Sequence, residues 1–265
     1  MDVWIENCVV RFGAIDKSDT MTLDAALNFF QEAAISHAEN LGVGRKAMAQ
    51  TNQVWILSRM SLQIDRRPQY GETIIVRTWP RGGEKLFALR DYDIRDSADI
   101  PVVRARSCWI IIDIEKRRPL RPQSIMDNLP RNEGLDSLPA ALSLDARSSL
   151  QKTLERRALY SDVDYNGHVN NVSYIRWIED SVDPALLEQA KQMRLDINYL
   201  NEVLPNEVTG IWSARIEESA AEASCAKAFH AFAFEGRKDL CDEACKGSQD
   251  AQTAAAFRAE LRLWH

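Results

Sequence analysis

The sequence has no hydrophobic run long enough to cross a membrane. Its strongest apolar stretch, Trp109-Ile110-Ile111-Ile112, is interrupted at once by Asp113, whereas a membrane-spanning helix needs about 20 apolar residues. The first residues, Met1-Asp2-Val3-Trp4-Ile5-Glu6, also lack the basic start and the apolar stretch of a secretory signal. We therefore expect a cytoplasmic protein with no membrane span.

The sequence also lacks an excess of basic residues and a cysteine pattern typical of metal sites. Its net charge is -6, which gives no support to nucleic-acid binding as the main role. The five cysteines are an odd number, and no second pair or nearby His completes a site with Cys241 and Cys245. We expect reduced, structural thiols, no metal and no cofactor. The polar segment Lys238–Gln252 is predicted to be a loop, and we assign it no role.

The first half combines one long helix with a series of short strands. Thr22 has the side chain of a helix cap, and an apolar face with helical spacing follows it over Leu23–Leu41. Gly42 ends this predicted helix. A helix followed by an antiparallel sheet is an α+β arrangement. Strands are predicted at Val3–Phe12, Ser58–Ile64, Thr73–Trp79, Leu86–Arg95 and Val102–Ile114.

The same order of elements recurs after a connection rich in proline, Arg118–Leu150. Apolar residues at helical spacing predict a helix over Val172–Val182, which Pro184 limits or restarts. We predict an N-terminal domain at 1–125, a linker at 126–150 and a C-terminal domain at 151–265, two copies of one unit. Strands of the second copy are predicted at Leu154–Tyr160, Met193–Tyr199, Val208–Glu217, Cys225–Glu235 and Ala254–Trp264.

A polar turn stands directly before the helix of the second half and contains Asp164, Asn166 and His168. At a helix entrance, unpaired N–H groups and the positive end of the helix dipole stabilise a developing negative charge. The turn therefore suits a reaction with an oxyanion intermediate. The alternative is that Asp164 and Asn166 are ordinary turn and cap residues and that His168 is a satisfied polar residue.

An alignment of the two halves places this polar set in the second half alone. When Gln31-Glu32 is laid over Ile178-Glu179, the positions of the set are occupied in the first half by Lys17, Asp19 and Met21. We therefore predict that the second half holds the chemistry and that the first supplies sheet, helix packing and a ligand pocket.

Several separated motifs, in the same order, resemble the acyl-ACP thioesterases of the plant and bacterial fatty-acyl type. The resemblance spans most of the chain and implies two tandem hotdog domains, each a long helix wrapped by an antiparallel sheet. The motifs are Asp164–Asn171, Tyr174-Ile175 and Trp177-Ile178 in the second half, and Phe30–Ala34, Arg59-Met60, Ile64–Arg66, Gly71-Glu72, Val76–Trp79 and Ala105–Trp109 in the first.

Thioester hydrolysis needs an activated water, a donor for the carbonyl oxygen and a group that orients the base. His168 can accept a proton, Asn166 can hold the carbonyl or the water, and Asp164 can orient a neighbour. The resemblance adds Glu202 to this set and leaves open whether it acts as the base or orients the base. Without the resemblance, Glu202 would be interpreted as an ordinary acidic residue of a loop. Backbone N–H groups near Val169–Asn171 can share the contact with the oxyanion.

The resemblance also bears on the route of attack. The plant enzymes carry a cysteine directly after the acidic residue, and this sequence has Val203 there. We therefore expect direct attack by water rather than a covalent acyl-cysteine.

The resemblance implies hydrolysis of fatty acyl-acyl carrier protein, which releases free fatty acid and ends chain elongation in fatty acid biosynthesis. The acyl chain is expected against the helix Leu23–Leu41. The alternatives are an acyl-CoA thioesterase, a non-catalytic acyl-binding hotdog protein and a hotdog dehydratase; a homodimer is left open. An acidic carrier needs a basic docking face, although each cluster also reads as ordinary surface charge. The clusters are Arg66-Arg67, Lys116-Arg117-Arg118 with Arg121, and Arg156-Arg157.

Overall fold

The chain divides into two compact units, Met1–Leu142 and Ser143–His265. The structure is a computed structural model that describes residues 2–216, 229–239 and 253–265. Cys225, Cys241 and Cys245 and most of the predicted loop Lys238–Gln252 lie outside these residues. The two described cysteines, Cys8 and Cys108, are free thiols.

In the first unit an antiparallel sheet packs against the long helix α1 (Leu23–Asn40). The strands are hydrogen-bonded in the order β1-β3-β4-β5-β2, with the short β6 paired to β5. Two short helices follow α1 in the chain: α2 (Arg45–Gln50) and α3 (Gln123–Met126). The strands are β1 (Trp4–Val9), β2 (Gln53–Ile64), β3 (Thr73–Glu84), β4 (Phe87–Arg95), β5 (Pro101–Asp113) and β6 (Arg118–Leu120).

Local sequence explains where α1 begins and ends. The Thr22 side chain accepts a hydrogen bond from the Ala25 N–H, as an N-cap does. Gly42 has a positive φ of 70° just after the helix, a conformation that glycine adopts without strain. The buried face of α1 packs on the sheet, and the ring centroids of Phe30 and Tyr92 lie 5.0 Å apart. The helix predicted over Leu23–Leu41 is therefore present, one residue shorter.

The second unit repeats this arrangement with a shorter helix. Its strands are hydrogen-bonded in the order β8-β11-β10-β9-β7. Helix α4 (Asn171–Glu179) is interrupted before α5 (Pro184–Gln189). Pro184 lacks an N–H and cannot continue a helix, and Asp183 caps the new one. The strands are β7 (Gln151–Arg157), β8 (Gln192–Tyr199), β9 (Val208–Arg215), β10 (Phe229–Asp239) and β11 (Thr253–Trp264).

Residues of the predicted linker 126–150 fall on both sides of the unit boundary. Up to Leu142 they belong to the first unit, where the Ser137 side chain donates to the Tyr92 carbonyl over 2.6 Å. Just beyond the boundary, the Leu144 N–H donates to the Asn198 side chain of the second unit over 2.7 Å. The division of roles between the units stays a prediction.

Both units combine an antiparallel sheet with helices, so the predicted α+β class is confirmed. Among the described residues, no helix has both the length and the apolar character that a membrane crossing requires.

Candidate functional site

His168 and Glu202 meet in the second unit. The Nε2 atom of His168 lies 3.2 Å from Oε2 of Glu202, although 33 intervening residues separate them in the chain. The side chains are 35% and 52% exposed, so the pair is accessible from solvent. Two of the four predicted site residues are thus brought together from different segments.

Asp164 and Asn166 form a second pair within the turn. One carboxylate oxygen of Asp164 accepts the Asn166 backbone N–H over 2.8 Å, and the other lies 3.4 Å from the Asn166 side-chain nitrogen. The Asp164 N–H donates to the His168 carbonyl over 2.9 Å, which closes the turn. Gly167 adopts a positive φ of 80° within it. Asp164 therefore shapes the turn from which Asn166 and His168 project.

The N–H groups expected to contact an oxyanion are largely engaged within the protein. Val169 N–H donates to the Val203 carbonyl over 2.9 Å, and Asn170 N–H donates to the Asp162 carbonyl over 2.8 Å. The Asn170 side chain caps the helix by accepting from Val172 N–H. The expectation that Val169–Asn171 share the oxyanion is therefore corrected for the first two residues. Asn171, at the first helical position, is the one whose N–H has no acceptor within the helix.

The loop that carries Glu202 is anchored on both sides. Before it, Leu200 N–H donates to the carbonyl of Ala256 in β11 over 2.8 Å. After it, the carbonyl of the fully buried Val203 accepts the N–H of Val169 from the turn. The Glu202 carbonyl itself accepts from Nζ of Lys238 over 2.7 Å. These bonds hold the Glu202 backbone close to the His168 turn.

Tyr174 in α4 contacts the same loop, and sequence reasoning gave it no role beyond the resemblance. Burial raises the pKa of Tyr174 well above its usual range, and the nearby carboxylates of Glu207, Asp164 and Glu202 act in the same direction. A hydrogen bond from the Val203 backbone acts the other way. A buried tyrosine one helical turn after the cap Asn170 was the available signal.

The turn before α1 has the same hydrogen bonds as the turn before α4. In both, the N–H of an Asp donates to the carbonyl four residues later, over 3.0 Å in the first unit and 2.9 Å in the second. In both, the carboxylate of that Asp accepts from the N–H two residues later, over 2.9 and 2.8 Å. The equivalent positions are Asp16 and Asp164, Ser18 and Asn166, and Thr20 and His168.

The sequence alignment that placed Lys17, Asp19 and Met21 at these positions is therefore wrong by one residue. It was set by matching Glu32 to Glu179, and likeness of side chains does not determine register. The first unit keeps the Asp that shapes the turn and lacks the amide and the imidazole.

The equivalence extends to the loop that carries Glu202. Met21 N–H donates to the Pro68 carbonyl over 2.8 Å, as Val169 N–H donates to the Val203 carbonyl over 2.9 Å. The residue before Pro68 is Arg67, which thus occupies the place of Glu202. Arg67 is only 7% exposed; its guanidinium pairs with Asp16 and donates to the Met21 carbonyl over 2.9 Å. The first unit fills this place with an internal ion pair.

Within the part of the chain that the structure describes, no group of three or more His, Cys, Asp or Glu side chains is arranged to hold a metal ion.

Fold and site together define a protein of two hotdog units with an accessible His-Glu pair in the second, and comparison with known families gives the family. Residues 2–129 match the acyl-ACP thioesterase N-terminal domain, and residues 145–244 match the acyl-ACP thioesterase C-terminal domain. The chain belongs to the acyl-ACP thioesterase family, which confirms the resemblance.

Curated relatives include plant enzymes. The chain is 28% identical over 216 residues to the chloroplastic palmitoyl-acyl carrier protein thioesterase of Cuphea hookeriana, which covers 76% of this chain and 52% of the relative. It is 28% identical over 225 residues to the chloroplastic oleoyl-acyl carrier protein thioesterase 1 of Arabidopsis thaliana, with 77% and 61% covered. The chain thus spans about half to three fifths of these relatives.

Solved structures confirm the double hotdog fold. An acyl-ACP thioesterase from Bacteroides thetaiotaomicron matches with a TM-score of 0.77 and 23% identity, covering 99% of this chain and 98% of that one. The 12:0-ACP thioesterase from Umbellularia californica matches with a TM-score of 0.75 and 19% identity, covering 99% and 94%.

Proposed function

We propose that this protein hydrolyses fatty acyl thioesters of acyl carrier protein and releases free fatty acid. The observation that carries the proposal is the 3.2 Å contact between His168 and Glu202 in a solvent-accessible turn. Family membership supplies the substrate class, since the curated relatives are named acyl carrier protein thioesterases. Release of the acyl chain from its carrier ends elongation.

The geometry of the pair favours Glu202 as the base that activates water. With Glu202 ionised, the 3.2 Å contact requires a proton on Nε2 of His168, which then donates to Oε2. Nε2 is thereby a donor, and the second carboxylate oxygen of Glu202 is left to accept the proton of water. We assign Glu202 as the base and His168 as the group that orients it and passes a proton onward.

The reaction then follows in two bond changes. The water oxygen attacks the thioester carbonyl carbon while Glu202 takes its proton, and a tetrahedral oxyanion forms. The carbon–sulfur bond then breaks, and the sulfur leaves with a proton delivered by the His168–Glu202 pair. The products are the fatty acid and the free thiol of the carrier. Val203, in place of a cysteine, leaves no nucleophile at that position for a covalent route.

Asn166 is assigned to the oxyanion. Its side chain is exposed beside the His168 turn and is oriented by Asp164. A single donor to an oxyanion contributes about 2.7–4 kcal/mol to transition-state stabilisation. Asn171 N–H, at the entrance of α4, is the backbone donor that can share this role.

We assign the acyl chain to the first unit, between α1 and its sheet, and the chemistry to the second. The exposure of the basic side chains restricts which cluster can form the docking face for the acidic carrier. Arg67 is 7% exposed and paired with Asp16, and the exposed Arg66 pairs with Glu72 and Asp96, so we do not assign the docking face to the Arg66-Arg67 cluster. Arg117 and Arg118 are exposed and keep that assignment.

The test is thiol release from a panel of acyl-ACP and acyl-CoA thioesters of graded chain length. Wild type is compared with Glu202→Gln, which keeps the size of the side chain and removes the base. We expect turnover on acyl-ACP that falls by about 10²–10⁴-fold in the variant. Turnover on acyl-CoA alone would indicate an acyl-CoA thioesterase instead. No turnover on any thioester would contradict the proposal and favour a non-catalytic acyl-binding protein.

A further inference from the structure

The loops that carry Arg67 and Glu202 each end in a glutamate that is held by a cation. In the first unit the Glu72 carboxylate accepts two hydrogen bonds from Arg66, over 2.9 and 2.6 Å. It also accepts the N–H of Gln69 over 3.0 Å, which closes the loop. The cation and the glutamate thus lie in the same loop, directly beside Arg67.

In the second unit the cation comes from another strand. Glu207, the equivalent of Glu72, accepts the Leu204 N–H over 2.9 Å, but the Arg66 position is occupied by Asn201. Lys238 of β10 replaces the missing arginine, with its Nζ 3.2 Å from the Glu207 carboxylate. The Lys238 side chain is 12% exposed. A nearly buried lysine is therefore directed at this loop from the sheet.

Lys238 also makes a bond that lies beside the reacting pair. Its Nζ donates to the Glu202 carbonyl over 2.7 Å. The N–H of the same peptide group belongs to Val203, whose backbone lies near the buried phenol of Tyr174 in α4. The carbonyl of the Glu202–Val203 peptide group is therefore held from β10, directly beside the side chain that contacts His168. The equivalent group in the first unit precedes Pro68, which has no N–H to donate.

We propose that Lys238 is a positioning residue that fixes Glu202 against His168 by holding the Glu202–Val203 peptide group. This inference rests on the proposed function. The orientation of that peptide group determines the direction of the Glu202 side chain, which contacts His168 across 3.2 Å. Displacement of a catalytic group by about 1 Å can cost roughly 10²-fold in rate. Lys238 thus acts through Glu202 and not on the substrate.

The experiment compares Lys238→Met with Arg66→Met on the best acyl-ACP substrate. Both changes remove the cation from equivalent glutamates, but only Lys238 contacts the residue that precedes Val203. We expect kcat to fall by about 10–100-fold in Lys238→Met with KM within about twofold, and we expect kcat of Arg66→Met to stay within about twofold of wild type. Lys238→Arg, which restores a donor, should recover part of the loss.

A double mutant isolates the path of the effect. In a Glu202→Gln background, Lys238→Met should lower kcat by less than about twofold, because residues that act as a unit are not additive. If Lys238→Met fails to fold, Lys238→Gln, which is shorter and uncharged, replaces it and should also lower kcat with KM within about twofold. A kcat within twofold of wild type in a folded Lys238→Met, or in Lys238→Gln where that variant is used instead, would overturn the inference.

A crystal structure of Lys238→Met gives a readout that does not depend on turnover. The His168–Glu202 contact should open beyond about 3.5 Å, the limit of a hydrogen bond. An unchanged contact would overturn the inference even if wild type proved inactive on every thioester, which would contradict only the proposed function.

Discussion

Arg67 and Glu202 occupy the same place in the two units with opposite charge. Each precedes a residue whose carbonyl accepts an N–H from the neighbouring turn, over 2.8 Å at Pro68 and 2.9 Å at Val203. Arg67 turns inward and pairs with Asp16, whereas Glu202 contacts His168 at the surface. The same backbone therefore supports an ion pair in one unit and an accessible acid and imidazole in the other.

Replacement of Arg67 by Met should destabilise the protein and leave the Glu202 turn intact. The change leaves the Asp16 carboxylate without its cation. Because that side chain is 21% exposed, we expect the free energy of unfolding to fall by about 2–3 kcal/mol, below the range for a fully buried pair. Urea unfolding of wild type and Arg67→Met at pH 7 measures the difference. An unchanged unfolding midpoint would show that the pair contributes nothing.

The same variant has a predicted pH dependence. Burial alone would raise the pKa of Asp16, but hydrogen bonds from Ser18 and Arg67 and the charge of Arg67 hold it below its usual value. Stabilisation from a depressed carboxyl pKa is present above the unfolded value of about 3.9 and is lost as the pH falls through the folded pKa. The difference in the free energy of unfolding between wild type and Arg67→Met should therefore narrow as the pH falls from about 5 to about 3, the range in which Asp titrates. A stability difference that does not change with pH would contradict the ion pair between Asp16 and Arg67.

Substitution of Asp164 separates its charge from its role in the turn. Asn retains the oxygen that accepts the Asn166 N–H over 2.8 Å, so Asp164→Asn should keep kcat within about tenfold of wild type. Asp164→Ala removes that acceptor and should cost about 10²-fold. Asp16→Ala, which breaks the equivalent bond in the first unit, is the matched control and should affect stability alone. Equal losses in the Asn and Ala variants would indicate that the charge of Asp164 is required.

Asn166→Ala should lower kcat with little effect on KM, because an oxyanion donor acts in the transition state. The expected loss is about 10²–10³-fold. Ser18 occupies the equivalent position in the first unit, so Ser18→Ala should leave kcat within about twofold. Steady-state kinetics on one acyl-ACP measure both variants. A rise in KM at constant kcat would place Asn166 in substrate binding instead.

Thiol alkylation should not abolish hydrolysis. Burial raises the pKa of the Cys108 thiol, and burial together with Glu6 raises that of Cys8, so both described thiols are weak nucleophiles. With Val203 beside Glu202, no covalent acyl-cysteine is expected there. Iodoacetamide treatment followed by a hydrolysis assay tests this, with mass spectrometry to detect acyl adducts. An acyl-cysteine that forms and decays at the rate of turnover would contradict attack by water.

Local features of the fold could be predicted from sequence because they depend on neighbouring residues. Helix α1 begins directly after the cap Thr22 and ends before Gly42, as predicted. Strand ends were missed where the ladder is irregular. A bulge between Leu57 and Arg59 interrupts the alternation of β2, which extends back to Gln53 rather than Ser58. Another, between Pro80 and Gly82, lets β3 continue to Glu84 past a proline.

The site divides in the same way. Asp164, Asn166 and His168 lie in one turn, so their motif was visible in the sequence. Glu202 needed the family resemblance, because its contact with His168 is made across the fold. Lys238 was predicted to begin a loop with no role, whereas it lies in β10. Its bond is to a backbone carbonyl, and a backbone acceptor leaves no mark on the sequence.

The most direct test of where the chemistry lies is kcat of His168→Ala and Thr20→Ala, measured side by side on the best acyl-ACP substrate. The two residues hold equivalent positions in turns with the same hydrogen bonds. We predict a loss of about 10²–10⁴-fold for His168→Ala, with Thr20→Ala within about twofold of wild type and both variants folded. Comparable kcat values for His168→Ala and wild type would contradict a reaction centred on the His168–Glu202 pair.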